Sequence, residues 1–232
     1  MLELSEDLAE FVGILVGDGG MYRTKTGGTN IEINSGYDDI KYMDYRVRYL
    51  IKKLFNKDLK VKYRNGRNEI RIVICSNAIG KFLNEVFSLP YGNKGNIDIP
   101  EIIKISDEKT RCAFIRGLFD TDFCFRTVRN DYPIIQADFK SSNLIVGLKY
   151  MLTNFGITSY TKLDSKRQSK NSIWITNRIQ ISGRKNLEKW MELIGSNNPK
   201  HLTKIYKCMS VVGFGPTTPS LEGQHSMKLF IN

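Results

Sequence analysis

Two aspartates 104 positions apart stand in matching surroundings. The stretch from Phe11 reads FVGILVGDGGMY and that from Phe114 reads FIRGLFDTDFCF; each has a glycine, Gly13 or Gly117, among apolar residues and an aspartate five positions later, Asp18 or Asp122. Both stretches read as helices with small residues at four-residue spacing, Gly13 with Gly17 and Gly117 with Thr121, which lets two helix backbones approach closely. A tight helix crossing explains the glycines but not the acids. Asp18 and Asp122 fall at helix C-termini, where the helix dipole disfavours a carboxylate, and pairing the helices brings the two acids together. Such a pair calls for a counter-ion, and hard oxygen ligands beside water and phosphate oxygens suit Mg²⁺ better than zinc. A cation held there can activate water and stabilise the leaving 3′ oxygen in phosphodiester hydrolysis.

The elements that must position these acids recur in the same order after each motif. After Asp18, alternation in Asn30-Ile31-Glu32-Ile33-Asn34 behind a Gly27-Gly28 turn reads as a hairpin. A helix follows with Ile40, Met43, Val47, Leu50, Ile51 and Leu54 at helical spacing, Asp38 or Asp39 being the candidate cap. Leu59–Tyr63 and Ile70–Ile74 flank Asn65-Gly66, a pair suited to a type I′ turn, and Ile79, Phe82, Leu83, Val86 and Phe87 mark a short helix. The second half repeats the plan. It has strands around Phe123 to Lys140, a helix from Ser142 or Asn143 to Phe155 ended by Gly156, strands around 160–163 and 172–181, and a last helix closed by Gly195. This predicts an α+β fold of two pseudo-twofold related αββαββα halves, each a twisted antiparallel sheet under its helices, together forming a saddle. The expected division is 1–98 and 99–207 for the halves and 208–232 for a C-terminal tail, with the joint near Leu89 to Ile105, where Pro90-Tyr91-Gly92 and Ile99-Pro100 punctuate the chain.

The open sheet faces are basic. The chain has 35 Lys and Arg against 24 Asp and Glu, a net charge of +11, which points to a polyanionic partner. Lys60, Lys62 and Arg64 are expected to alternate onto one face, and Arg71 and Arg178 lie in matching strands of the two halves. A solvated sheet face is one reading; a surface for DNA is the other, since a β-ribbon fits the major groove. On the second reading the candidate DNA contacts of the first half are Arg23, Lys25, Lys60, Lys62, Arg64, Arg67 and Arg71. Those of the second half are Arg126, Arg129, Lys162, Lys166, Arg167 and Arg178.

Other classes are disfavoured. Cys75, Cys112, Cys124 and Cys208 are scattered, form no C-x-x-C pair and lie far from His201 and His225, which argues against zinc. Cys75 and Cys112, in apolar runs, read as small core residues in a reducing compartment, and Trp174 and Trp190 as core or sheet anchors. The acidic start MLELSEDLAEF does not read as a signal peptide and no run approaches a membrane span, so the expected location is the cytoplasm, or an organelle matrix if organelle-encoded. No G-K-[ST] follows the glycine-rich Gly17 to Gly20, and residues 213–232, with Pro216 and Pro219, show no periodicity.

FVGILVGDG and IRGLFDTDF resemble the two LAGLIDADG motifs of a single-chain homing endonuclease. LPYGNKGNIDIPEII and ISGRKNLEKWMELIGSNNPKHLTKI are similar to that family too, so the resemblance covers most of residues 8 to 207. It implies a strand saddle over double-stranded DNA with a long, nearly palindromic site, and Mg²⁺-dependent cutting of both strands across the minor groove to leave short 3′ overhangs. Asp18 and Asp122 would be catalytic metal ligands, with the main-chain carbonyls of Gly17 and Thr121 beside them, and Lys140 would correspond to the family's basic residue that assists the water network. The first half, Ile33-Asn34-Ser35, offers no basic counterpart to Lys140, Val16 replaces the first motif's earlier acid where Asp120 keeps it, and Phe123 stands where the family has glycine. A bulky residue there is expected to alter the turn after Asp122 and weaken activity. Three functions fit the scaffold: a monomeric site-specific DNA endonuclease, an intron maturase whose partner is intron RNA, and a DNA-binding regulator with weakened catalysis.

Overall fold

The structure is a computed structural model and describes residues 4–64, 66–168 and 173–210, with backbone alone at 130 and 173. Asn65 of the expected Asn65-Gly66 turn, Ser172 of an expected strand and the tail 213–232 lie outside the described residues.

The first half runs α1 (Glu6–Val16), β1 (Gly19–Arg23), β2 (Thr29–Gly36), α2 (Ile40–Tyr42) and α3 (Arg48–Phe55) joined by a π-helical turn (Met43–Val47), β3 (Lys62–Tyr63), β4 (Glu69–Cys75) and α4 (Asn77–Phe87). After a short α5 (Glu101–Lys104) the second half runs α6 (Glu108–Asp122), β5 (Cys124–Val128), β6 (Tyr132–Phe139), α7 (Ser142–Asn154), β7 (Ser159–Gln168), β8 (Ile173–Ser182), α8 (Arg184–Leu193) and α9 (Pro199–Ser210). The fold is α+β with two antiparallel four-stranded sheets of the same order, β1-β2-β4-β3 and β5-β6-β8-β7. Strand alternation gives each sheet two unlike faces. In the first, Ile31, Ile33, Ile70, Ile72 and Ile74 are buried under the helices while Asn30, Glu32 and Arg71 point the other way. In the second, Ala137, Phe139, Ile179 and Ile181 are buried, and Asp138, Arg178 and Gln180 lie on the open side.

Local details depart from the sequence reading in three places. Neither Asp38 nor Asp39 caps the helix after β2; a 3₁₀ turn (Tyr37–Asp39) precedes it, and Asp39 turns inward to accept from Ser35, Asn198 and Lys200. α7 starts at Ser142, as expected, and is capped by Ser141, whose hydroxyl accepts from the Leu144 amide. β3 is only Lys62–Tyr63, because Leu59 and Val61 pack against the core instead of continuing the strand, so Lys60 and Arg64 flank it rather than alternate along it. α9 continues to Ser210, past the expected start of the tail, with Cys208 buried in it. Cys112 and Trp190 are core residues, whereas Cys75 at the end of β4 and Trp174 on β8 are exposed, each following the alternation of its strand.

Candidate active site

α1 and α6 cross at the middle of the molecule, and their glycines interlock reciprocally. A Cβ added to Gly13 would strike the carbonyl oxygen of Phe114, and one added to Gly117 would strike that of Glu10; each residue of one pair is 104 positions from its counterpart in the other. α1 is started by Ser5, whose hydroxyl accepts from the Leu8 amide, and α6 by Asp107, which accepts from the Thr110 amide. Beneath the crossing, Glu10 is fully buried and is held by Arg46 Nε and Nη2 at 2.7 Å each, Arg116 Nε at 3.1 Å and Asn197 Nδ2 at 2.9 Å. Burial raises its carboxyl pKa, but these partners outweigh that and the net shift is downward. Glu10 thus ties α1 to the π-helical turn, to α6 and to the segment before α9.

The crossing brings the two motif aspartates together. α1 ends at Gly17 and Asp18 follows; Asp122 is the last residue of α6, and its Oδ2 lies 3.2 Å from the place a Cβ on Gly17 would take. Burial raises the Asp18 carboxyl pKa to about 7, with the Asp122 charge adding to the rise and the Ser35 hydroxyl opposing it. Burial also raises Asp122, partly offset by Lys94. Two carboxylates held unfavourably in this way form a hard-oxygen pair that a cation would relieve. Among the described residues no group of three or more His, Cys, Asp and Glu side chains converges, so further ligands would be main-chain carbonyls, water or phosphate oxygens.

Phe123 does not distort this arrangement. It takes ordinary extended backbone angles, φ −86° and ψ 153°, and its buried ring packs with Phe119, Phe139 and Trp190 at centroid distances of 5.9, 5.9 and 6.1 Å. The first motif does require its glycine: a Cβ on Gly19 would come within 2.5 Å of the Leu15 α-carbon. The expectation that Phe123 disturbs the turn is therefore corrected: α6 runs two residues further than α1, to Asp122 where α1 ends at Val16, so the chain leaves it without the tight turn that Gly19 makes and Phe123 follows in extended backbone.

Lys140, just past β6, is exposed, and its carbonyl accepts from Asn177 Nδ2 at 2.8 Å. Thr121 directs its hydroxyl back to the Gly117 and Leu118 carbonyls of its own helix. Asp120 is no partner of the Asp18–Asp122 pair: it is buried, accepts from the Ser196 hydroxyl and the Asn197 amide, and burial raises its pKa to about 7.

Sequence reasoning misses two groups here. Lys94, in the linker, donates from Nζ to the carbonyls of Leu15 at 3.2 Å, Val16 at 2.9 Å and Gly17, so its ammonium closes the C-terminus of α1. Burial lowers its pKa, while Asp122 and Asp18 oppose that. The second is the set Ser35, Asp39, Asn198 and Lys200. Ser35 donates to Asp39 at 3.1 Å and sits against the Asp18 carboxyl, lowering its pKa, and Asp39 in turn accepts from Asn198 at 2.9 Å and Lys200 at 2.7 Å. A segment from the end of the second half thereby braces the first motif's aspartate.

The expected DNA contacts divide by face. Lys62 lies opposite Arg71 on the open face of the first sheet, and Lys162 opposite Arg178 on that of the second. Arg126 also points to the open side, and Arg167 shares the face of Trp174. Arg23 instead follows the buried side of β1 and stacks 4.6 Å over Tyr91. Four of the basic residues are engaged with acids: Arg64 with Glu69, Arg71 with Glu32, and Arg167 and Arg178 both with Asp138. Lys25, Lys60, Arg67, Arg129 and Lys166 are exposed outside these pairs.

Residues 109–195 match the family model described as a LAGLIDADG-like domain. Over 87% of its length the chain superposes on 97% of I-DmoI in complex with DNA and Ca, with a TM-score of 0.62 at 17% identity. It also covers 90% of the I-LtrWI LAGLIDADG homing endonuclease bound to target DNA, over 89% of its own length, at a TM-score of 0.55 and 11% identity. Full-length DUF199/WhiA from Thermatoga maritima shares the fold at a TM-score of 0.57 and 15% identity, over 92% of this chain and 62% of that one. In sequence, 80% of the chain is 28% identical to part of an A-type ATP synthase component of Pyrococcus abyssi, and 88% is 26% identical to part of the replication factor C small subunit of Methanocaldococcus jannaschii. The chain spans only 16% and 10% of the length of those two relatives.

Proposed function

We propose that this chain, which resembles the LAGLIDADG family in the match of residues 109–195 and in its two-motif fold, is a site-specific double-stranded DNA endonuclease using divalent cations at Asp18 and Asp122. The observation that carries this reading is the meeting of the two aspartates at the crossing of α1 and α6, with both carboxyl pKa values raised. Such a pair persists in a folded protein at a cost in stability, and a bound cation turns that cost into affinity. Mg²⁺ fits the all-oxygen donors available: the two carboxylates and the carbonyls of Gly17 and Thr121. When bound it would polarise phosphate oxygens and activate water. The chain's own groups then hold the reaction in place. Ser35 fixes Asp18, the helix crossing fixes Asp122, and the open sheet faces with Lys62, Arg71, Lys162 and Arg178 hold the duplex on either side. Lys140, exposed just past β6, would assist the water network on this reading. The two motifs within one chain make a monomer sufficient, with halves at 1–98 and 99–207.

The two sequence relatives bear unrelated names, yet each contains a segment like this chain as a small part of its length. This supports a self-contained activity residing in the segment rather than the activity of either host. A second reading rests on the likeness in fold to DUF199/WhiA, a protein that, unlike the other two neighbours, is not named as an endonuclease. On that reading the chain binds DNA and does not cut it.

The test is incubation of a randomised double-stranded DNA library with the protein, with and without Mg²⁺, beside the Asp18→Asn, Asp122→Asn double variant. Metal-dependent cuts at one recurrent long sequence, absent with the variant, establish the endonuclease. Tight retention of one sequence without cutting establishes the binding protein.

A further inference from the structure

The two ends of the helix crossing are treated differently by the chain. At the end of α1 the Lys94 ammonium donates to the Leu15, Val16 and Gly17 carbonyls; at the end of α6, Asn198 Nδ2 donates to the Asp120 carbonyl at 3.0 Å. Lys94 and Asn198 are 104 positions apart, as are Val16 and Asp120, so they occupy equivalent places in the two halves. One end therefore receives a full positive charge and the other a neutral amide.

The position of that charge is informative. The C-terminus of a helix concentrates partial negative charge on its last carbonyls, and a cation there is favourable without any help. Here it does more, because the Asp122 carboxylate reaches across to Gly17, and the Lys94 ammonium interacts with Asp122 and Asp18 together. The Gly17 carbonyl and the Asp122 carboxylate are the oxygens that would serve a divalent cation on this side. Leu15, Met21, Leu89, Pro90 and Ile97 line the pocket around the lysine stem and keep its head at this point.

We propose that Lys94 is an internal cation seated at one of the two metal half-sites, the one formed by Asp122 and the Gly17 carbonyl, from which a divalent cation must displace it. This rests on the reading of Asp18 and Asp122 as metal ligands. The half-site on the Asp18 side, with Asn198 in the equivalent place, has among the described residues no ammonium bonded to its helix-end carbonyls, so the DNA-free protein binds two cations with unequal affinity. The lysine stabilises the metal-free carboxylate pair and sets an order of metal loading.

Mn²⁺ binding to the full, DNA-free chain tests this, with free Mn²⁺ followed by electron paramagnetic resonance for wild type, Lys94→Met, Lys94→Arg, and the Asp18→Asn, Asp122→Asn double variant. Expected are two Mn²⁺ in wild type with the second bound at least ~10-fold more weakly, a second step tightened ~10-fold or more in Lys94→Met, and a weak second step kept in Lys94→Arg. An identical isotherm for wild type and Lys94→Met, with binding still lost in the double variant, overturns the role of Lys94 and leaves the metal-ligand reading standing. Unchanged binding in the double variant overturns both. Should Lys94→Met not fold, the ¹⁵N resonance of the Lys94 ammonium in wild type gives the answer: it must shift as the second equivalent of Mg²⁺ binds, and a signal constant to saturation overturns the proposal.

Discussion

Gly13 leaves no space for a side chain between itself and the carbonyl oxygen of Phe114, and this contact sets how closely α1 and α6 cross. The obstacle is backbone on both sides, so no rotamer change can relieve it. Gly13→Ala and Gly117→Ala should each destabilise the protein by about 3 kcal/mol or more, since overpacking here must push two helices apart. Gly20→Ala is the control, because a Cβ there meets nothing within 4 Å. Urea denaturation of the three variants checks this, and near-wild-type stability of Gly13→Ala would contradict the crossing.

The same closeness predicts how cleavage fails. Asp122 reaches the Gly17 end of α1, so the two half-sites share parts and neither is independent of the other helix. Asp18→Asn alone and Asp122→Asn alone should each reduce double-strand cleavage by at least about 100-fold while leaving binding to the target within a few-fold. Both substitutions remove a carboxylate held at raised pKa, so neither should lower the stability of the metal-free protein. Gel-shift, cleavage and melting measurements on the same preparations decide this; a variant that binds and cuts as wild type removes that aspartate from the site.

The repeat, the helix crossing and the aspartate pair are legible in the sequence because each is written locally, in residues a few positions apart that recur with a fixed offset. Lys94 is not, since a lysine in a glycine-rich linker looks like a solvated charge and its partners lie 77 to 79 positions away. Asp39 illustrates the opposite error. Its place before a helix suggests a cap, but a long-range partner, Lys200, competes for the same carboxylate and wins. The effect of Phe123 escapes a local reading because the backbone angles after Asp122 depend on where α6 stops, which no local pattern specifies.

His201 on α9 is buried against Phe119, with ring centroids 4.9 Å apart, and burial lowers its pKa to about 4, with Lys200 adding to the shift. The unfolded chain takes up the proton below about 6.5 and the folded chain only near 4, so this group's contribution to stability is lost as pH falls through that window. His201→Phe should therefore lose less stability than wild type between pH 6.5 and 4, the difference approaching about 3 kcal/mol at the lower limit. Asp18 and Asp120, with folded pKa values near 7, act in the opposite sense in both proteins and cancel in the comparison. Parallel pH profiles for the two proteins would show that the imidazole keeps its proton when folded.

The two sheets are alike in order but unequal in reach, and this bears on the expected near-palindromic site. Pairing of β6 with β8 ends at Phe139 and Asn177, yet β8 continues back to Ile173 against β7, about 13 Å of two-stranded ribbon beyond β6. In the first half β4 starts level with the end of β2, at Glu69 and Gly36, and has no such extension. A register shift between Lys162 and Ser165, with Asp164 at φ 52°, bends the ribbon, and Arg167 reaches Asp138 across the open face. The ribbon carries Lys166, Arg167 and Trp174, so the second half should contact more of the duplex than the first. The variant Lys166→Ser, Arg167→Ser, Trp174→Ser should weaken binding and relax base preference on one side of the cut alone, and flatten the slope of log K against log salt by about 2. Site selection from a randomised library, repeated at several salt concentrations, measures both effects; equal relaxation of the two half-sites would mean that the ribbon does not face DNA.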